Sequence, residues 1–330
     1  MPTTHVSSTK PESGRGTSTA NGSLLDTRTL SRDEILSIFN RATELEALGQ
    51  RHGNFFDPTE ARNPKTIALL FFEASTRTRM SFQAATYRLG HNALAMELLT
   101  GSSLSKGETY EDTVLNVAAM KPDAMVIRYG ESAELDQLLP NLPMPVINAG
   151  SGTLAHPTQA LLDAYTIHRE RGTVEGQKIL LVGDIRHSRV ARSDFDVLSK
   201  LGAEIAVCGP DAFLPEPAES RARGLKCFND LDEAVEWASI YMGLRIQLER
   251  HDRGQHGSLE NYRKDYHEQF GLNQARLKKL SKNAMIMHPG PINHGVEFST
   301  EVVKDPRSRV MAQVTNGVLI RAALLARIWS

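Results

Sequence analysis

The sequence predicts an α/β protein of two doubly wound parallel-sheet domains, with the active site in the cleft between them. Three observations predict it. Short apolar runs suited to buried strands alternate with segments of helical apolar spacing, the pattern of a parallel sheet covered on both faces. The alternation occurs as two successive series, the second beginning near residue 156. The chain, at 330 residues, is long enough for two domains with a core each.

Residues 1–24, rich in Ser, Thr and Gly and poor in large apolar side chains, read as a flexible tail. Ser31 followed by Glu34 has the form of a capping box, so a helix is expected from there to about Leu48. Asn63-Pro64 is a turn and Lys65 to Phe72 the first strand. Met80 to Leu89 reads as a helix, Asn92 to Met96 as a strand, and Gly101 to Thr109 as a polar loop. Asp112 to Met120 has helical spacing, and Ala124 to Arg128 and Val146 to Asn148 are strands. In the second series Pro157 opens a helix, a position that suits proline. The strand Lys178 to Val182 and a helix from about Arg189 to Leu201 follow, then strands at Ile205–Val207, Ile240–Met242 and Ala284–Met287. The helix Val314 to Ile328 closes the chain. The expected domains are 25–155 and 156–308, with 309–330 a C-terminal helix returning to the first.

Lys plus Arg number 38 and Asp plus Glu 39, so any positive charge that matters is local, and a nucleic-acid or acidic-membrane surface is not indicated. No apolar run reaches the length of a membrane span. Cys208 and Cys227 form neither a metal-ligand spacing nor a disulfide framework, which fits a reducing, cytoplasmic setting.

Ligands of such folds bind outside the carboxyl ends of the strands, and the unusual residues stand there. The first strand hands over to a helix through Ser75-Thr76-Arg77-Thr78. Free backbone N–H groups, hydroxyls and a guanidinium meet at that point, which suits a phosphate or other dianion. Ser75 as a plain helix cap, with the arginines as surface charges, is the competing reading. The third strand ends at Arg128, and the next leads to His156 and Gln159, three apart and so on one helix face. In the second series Gly183-Asp184 leads to Arg189, Met242-Gly243 to Arg245, and Met287 into His288-Pro289-Gly290-Pro291. A lone strand-end arginine is commonly a solvated charge. Five basic or amide groups at equivalent ends of two sheets point instead to two anionic substrates, one for each half.

Phe72-Glu73-Ala74-Ser75-Thr76-Arg77-Thr78-Arg79, Ser105-Lys106-Gly107-Glu108, His156-Pro157-Thr158-Gln159 and His288-Pro289-Gly290-Pro291 resemble, in this order, the aspartate and ornithine carbamoyltransferases. The resemblance runs from about Leu30 to the C-terminus and is closer to the aspartate branch. The ornithine enzymes carry a His-Cys-Leu-Pro motif where His288-Pro289-Gly290-Pro291 stands, and an Asp-x-x-x-Ser-Met-Gly pattern where Ile240 to Gln247 stands. Arg245 suits a substrate carboxylate and would repel an ornithine ammonium.

The resemblance implies transfer of the carbamoyl group of carbamoyl phosphate to L-aspartate, an early step of pyrimidine biosynthesis, with neither cofactor nor metal. It implies that Ser75, Thr76, Arg77 and Thr78 hold the phosphate, and that Thr78, Arg128 and His156 face the carbonyl oxygen. Gln159 and the carbonyls of the turn at Gly290 and Pro291 would accept from the carbamoyl NH2. Arg189, Arg245 and Gln247 would grip aspartate. Lys106, with Ser102 beside it, would reach a neighbouring subunit's site, which implies a homotrimer with shared sites, within or without regulatory or dihydroorotase chains. Glu73 would pair with Arg189 and Arg250 of the other domain. The sequence departs from many relatives at Ser151, where Asp is common. Two rivals stand beside this reading: another amine acceptor such as ornithine, and an NAD-dependent dehydrogenase. The second is disfavoured because Gly183 is followed by Asp184 and not by a glycine-rich turn.

Overall fold

The structure, a computed structural model, describes residues 22–59, 63–97, 107–246 and 259–329. The first series begins with α1 (Arg32–His52), started by the Ser31/Glu34 capping box and stopped by Gly53 in the left-handed region. It continues with β1 (Thr66–Phe71), α2 (Thr76–Arg88), β2 (Asn92–Glu97), α3 (Tyr110–Ala119), β3 (Ala124–Tyr129), α4 (Ala133–Leu138) and β4 (Val146–Ser151). The four strands form one sheet in the order β2-β1-β3-β4, all parallel.

After α5 (Pro157–Arg171), the second series runs β5 (Lys178–Val182), α6 (Arg189–Lys200), β6 (Glu204–Cys208), α7 (Pro217–Ala222), β7 (Lys226–Phe228), α8 (Leu231–Trp237) and β8 (Ile240–Gly243). It ends with α9 (Leu259–Phe270), α10 (Gln274–Lys279), β9 (Met285–Met287), α11 (Thr300–Lys304) and α12 (Val310–Arg327). Its five strands are parallel in the order β7-β6-β5-β8-β9. Both sheets switch direction beside their first strand, which opens a crevice at the carboxyl ends there.

Strands β1, β3, β4 and β5 are buried along almost their whole length because helices cover both faces. Helix α5 is buried over Pro157–Ile167, and α12 packs on α1, α2 and α5, so the last helix lies against the first series. No helix among the described residues is long and apolar enough to cross a membrane.

Two expectations need correction. The segment read as a tail ends before Leu24, whose backbone bonds to Val146 and Asn148 and whose side chain is fully buried. One large apolar residue at a strand edge is enough to fix it. Strand β7 was not expected, since Lys226 and Cys227 are exposed and only Phe228 is apolar and buried.

Candidate active site

Residue Ser75 is the N-cap of α2, yet its hydroxyl makes no capping hydrogen bond. That removes the plain-cap reading and leaves the first N–H groups of α2, with the nearby hydroxyls, facing a cleft of about 760 Å3 between the two sheets. Thr76 and Arg77 line the same wall, and Thr78 is buried behind them. Helix α2 is thirteen residues long, so its dipole adds to the attraction for an anion.

Arg128 comes from the end of β3 and is nine-tenths buried. Its NH1 donates to the Ala149 carbonyl at 3.2 Å and lies 3.5 Å from His156 Nε2, and its NH2 is 3.5 Å from Glu73. Close approach needs Gly150: at its φ of +128° a Cβ would stand 2.8 Å from that same NH1. Burial, then the nearby charge of Arg189, pushes the Arg128 pKa down to about 10. His156 precedes Pro157, and its backbone N–H donates to Ser193 at 3.0 Å. Burial first, then Arg128, Arg189 and Arg321, lowers the His156 ring well below the usual histidine value, so it is neutral near pH 7. Gln159 follows one turn later, also buried, with its amide nitrogen on Asp163.

From the second series, Arg189 opens α6 and Arg245 stands two residues beyond the end of β8. Arg189 NH1 donates to the Gly152 carbonyl at 2.7 Å, and NH1 and NH2 both reach Glu73 Oε2 at 3.1 Å. The pairing of Glu73 with Arg189 across the cleft is therefore present, and Arg128 joins it. The His288–Pro291 turn closes the far wall: Gly290, at a φ of +68°, sits where a Cβ would be 3.3 Å from the Arg77 guanidinium. His288 Nδ1 accepts from Gly290 N at 2.8 Å, and burial, then Arg77 and Arg245, takes its pKa down to about 3. Pro291 lines the cleft as well. Burial, then Arg245, also lowers Arg77.

Arg77, Arg128, Arg189, Arg245 and Arg321 thus line one cleft in a chain of net charge −1. Together with burial, their charges lower Arg77, Arg128 and the two neutral histidines between them, the signature of a site for anions. Lys106 and Gln247, with Ser102 and Arg250, lie outside the described residues. Asp163, Gln313 and Arg321 were missed from sequence. The available signal was helix α5 itself: an acid in a helix buried on every side, four residues after Gln159, must face something polar.

Residues 23–169 match the family described as aspartate/ornithine carbamoyltransferase, carbamoyl-P binding domain, and residues 175–328 match its Asp/Orn binding domain. The chain is 43% identical over 305 residues to the aspartate carbamoyltransferase catalytic subunit of Solibacter usitatus, covering 92% of this chain and 98% of that one. It is 42% identical to that of Halothermothrix orenii, covering 90% and 95%. Among solved structures it is similar to the aspartate transcarbamoylase of Trypanosoma cruzi in complex with N-(phosphonacetyl)-L-aspartic acid. There the TM-score is 0.79 at 30% identity, with 92% of this chain and 95% of that one covered. The ligand-free form of the same enzyme gives 0.75 at 28%, with 92% and 94% covered. The motifs, the two parallel sheets and these matches agree, and the chain belongs to the aspartate/ornithine carbamoyltransferase family.

Proposed function

We infer that the protein transfers the carbamoyl group of carbamoyl phosphate to the α-amine of L-aspartate, giving N-carbamoyl-L-aspartate and phosphate. The observation that carries this is the convergence of Arg77, Arg128, Arg189 and Arg245 on one cleft beside His156 and Gln159. The T. cruzi enzyme has been solved with carbamoyl phosphate and aspartate together, which supports the same pair of ligands for this chain.

Residues 25–155, joined by His156 and Gln159 at the start of α5, present the carbamoyl phosphate side, and the rest of 156–308 the aspartate side. Ser75, Thr76, Arg77 and Thr78 hold the phosphate at the start of α2. Arg189, Arg245 and Gln247 hold the two carboxylates, with guanidinium groups matched to carboxylate geometry. The neutral amine of aspartate attacks the carbonyl carbon, and a C–N bond forms as the carbonyl π pair moves to oxygen. Thr78, Arg128 and His156 stabilise that oxyanion, in acyl transfer commonly the largest single contribution. The C–O bond to phosphate then breaks, and the departing phosphate takes the amine proton. Holding two anions side by side against their repulsion supplies the rest. His156, kept neutral, is a hydrogen-bond donor in this scheme. The reaction balances without a cofactor.

The chain works as a cytoplasmic homotrimer in which Lys106 completes a neighbouring site. A solution mass of three chains of 36.5 kDa is expected, and a monomeric active species overturns this. The functional test is carbamoyl transfer by the purified protein with aspartate or ornithine as acceptor. Aspartate is expected to be used. A preference for ornithine, whose ammonium would face Arg245, overturns the reading.

A further inference from the structure

We propose that Asp163 is a positioning residue that fixes both acceptors of the carbamoyl NH2 group, Gln159 directly and the His288–Pro291 turn through Gln313. The inference rests on the function proposed above.

Asp163 stands one helical turn beyond Gln159 on α5 and is fully buried. Gln159 Nε2 donates to its Oδ1 at 3.0 Å and to its Oδ2 at 3.2 Å. Gln313 Nε2, on α12, donates to the same Oδ1 at 2.6 Å. A carboxylate only accepts, so it turns the NH2 end of each amide toward itself and the oxygen end away. For Gln159 the oxygen is then left for the cleft that this residue lines. For Gln313 the oxygen accepts from His288 N at 2.9 Å, at the start of the turn whose carbonyls face the same ligand group. One carboxylate therefore sets two acceptors that come from opposite walls. Were the Gln159 amide reversed, an NH2 would meet the carbamoyl NH2 and repel it.

Asp163 holds this role only as a carboxylate. Burial raises its pKa to about 7 against the pull of Gln313, Gln159 and Arg321, so it serves as a carboxylate above that pH. A second buried acid, Asp194, has no hydrogen-bond partner on either oxygen among the described residues. Burial and then the charge of Asp163 raise Asp194 well above the carboxylate range. The acid with three donor contacts is the ionised one, and the acid with none carries the proton.

The test compares carbamoyl phosphate with acetyl phosphate, which has a methyl group in place of NH2, and with inorganic phosphate. Wild-type transfer to aspartate is measured first. Its absence overturns the proposed function, and with it this inference. With transfer present, Asp163→Asn is expected to lower kcat/KM for carbamoyl phosphate about ten- to a hundredfold, the range for a hydrogen-bonding group left mispaired in a buried site. Inhibition by acetyl phosphate and by phosphate is expected to stay unchanged. A retained preference for carbamoyl over acetyl phosphate, or equal weakening of all three, overturns the assignment. Should Asp163→Asn not fold, Gln313→Met keeps the volume and releases one arm. The same preference must then fall, and an unchanged preference overturns the proposal.

Discussion

On the first side of the cleft Thr78, Arg128, His156 and Gln159 are buried, whereas on the second Arg189 is half-buried and reaches across to Glu73. The first group sits where strands β1, β3 and β4 hand over to helices, so its positions follow from regular backbone. Three of the four are held from behind: Arg128 by Ala149, His156 by Ser193, Gln159 by Asp163. Arg189 gains its place through an ion pair with Glu73 on the opposite wall. The wall around Arg128, His156 and Gln159 is thus built before any ligand arrives, while Thr76 and Arg77 at the start of α2 stay exposed. The aspartate side is held by a carboxylate of the protein, in the manner a substrate carboxylate would be held. A preformed site for the first anion and a cross-cleft contact for the second suit binding in that order.

The widest separation between the two sides is expected from Arg128→Ala. This removes the oxyanion donor proposed for that wall, and kcat should fall by roughly 10²–10³, as when a single donor of this kind is deleted elsewhere. Steady-state kinetics with both substrates at saturation checks it. A loss below tenfold would put the carbonyl oxygen somewhere other than between Arg128, Thr78 and His156, and the preformed side would lose its chemical meaning.

The turn on the far wall has a pH signature of its own. His288 has its folded pKa near 3, below the 6.5 of an unfolded chain, so it is neutral when folded and takes up a proton on unfolding in acid. Its contribution to stability is complete above about 6.5 and is lost as pH falls toward 3. The raised carboxyls of Asp163 and Asp194 act in the opposite sense, favouring the fold below 3.8 and losing that contribution as pH rises. A difference measurement separates them. His288→Asn keeps an acceptor for Gly290 N, and its urea stability should fall less steeply between pH 6.5 and 4, by up to about 1.4 kcal/mol per pH unit. Equal slopes would mean that the ring is already charged in the folded protein.

The same contrast explains how far the sequence could be read. The strand ends were legible because short apolar runs stop at Phe72, Arg128 and Gly183, and each stop exposes its polar residues in order. Arg77, Arg128, His156, Gln159, Arg189 and Arg245 all reach the cleft from such positions. The supports behind them were not legible. Gln313 is 150 residues from Asp163 and resembles any polar residue at the start of an amphipathic helix. Arg321, in the middle of α12, is buried on Ser81 of α2 and would ordinarily be read as solvent-facing. Long-range polar partners carry no local periodicity, so only the fold brings them out. Glu73 was legible by its oddity, an acid beside an anion cradle, together with the family resemblance.

Glu73 offers the finest test of the comparison. Its Oε2 accepts from both terminal nitrogens of Arg189 and lies 3.5 Å from Arg128, and its side chain is 29% exposed. A charge-assisted pair of this exposure is worth on the order of 1–2 kcal/mol. Glu73→Gln keeps the shape but removes the charge that draws the second wall inward. The KM for aspartate is expected to rise about tenfold, which corresponds to 1.4 kcal/mol, while carbamoyl phosphate affinity changes by less than about twofold. Titration of phosphate binding alongside the kinetics separates the two. A fall in the aspartate KM would mean that Glu73 competes with the substrate for Arg189 and does not hold that arginine ready. Equal weakening of both ligands would mean that the two sides of the cleft are built as one, and the distinction between a preformed side and a latched one would go.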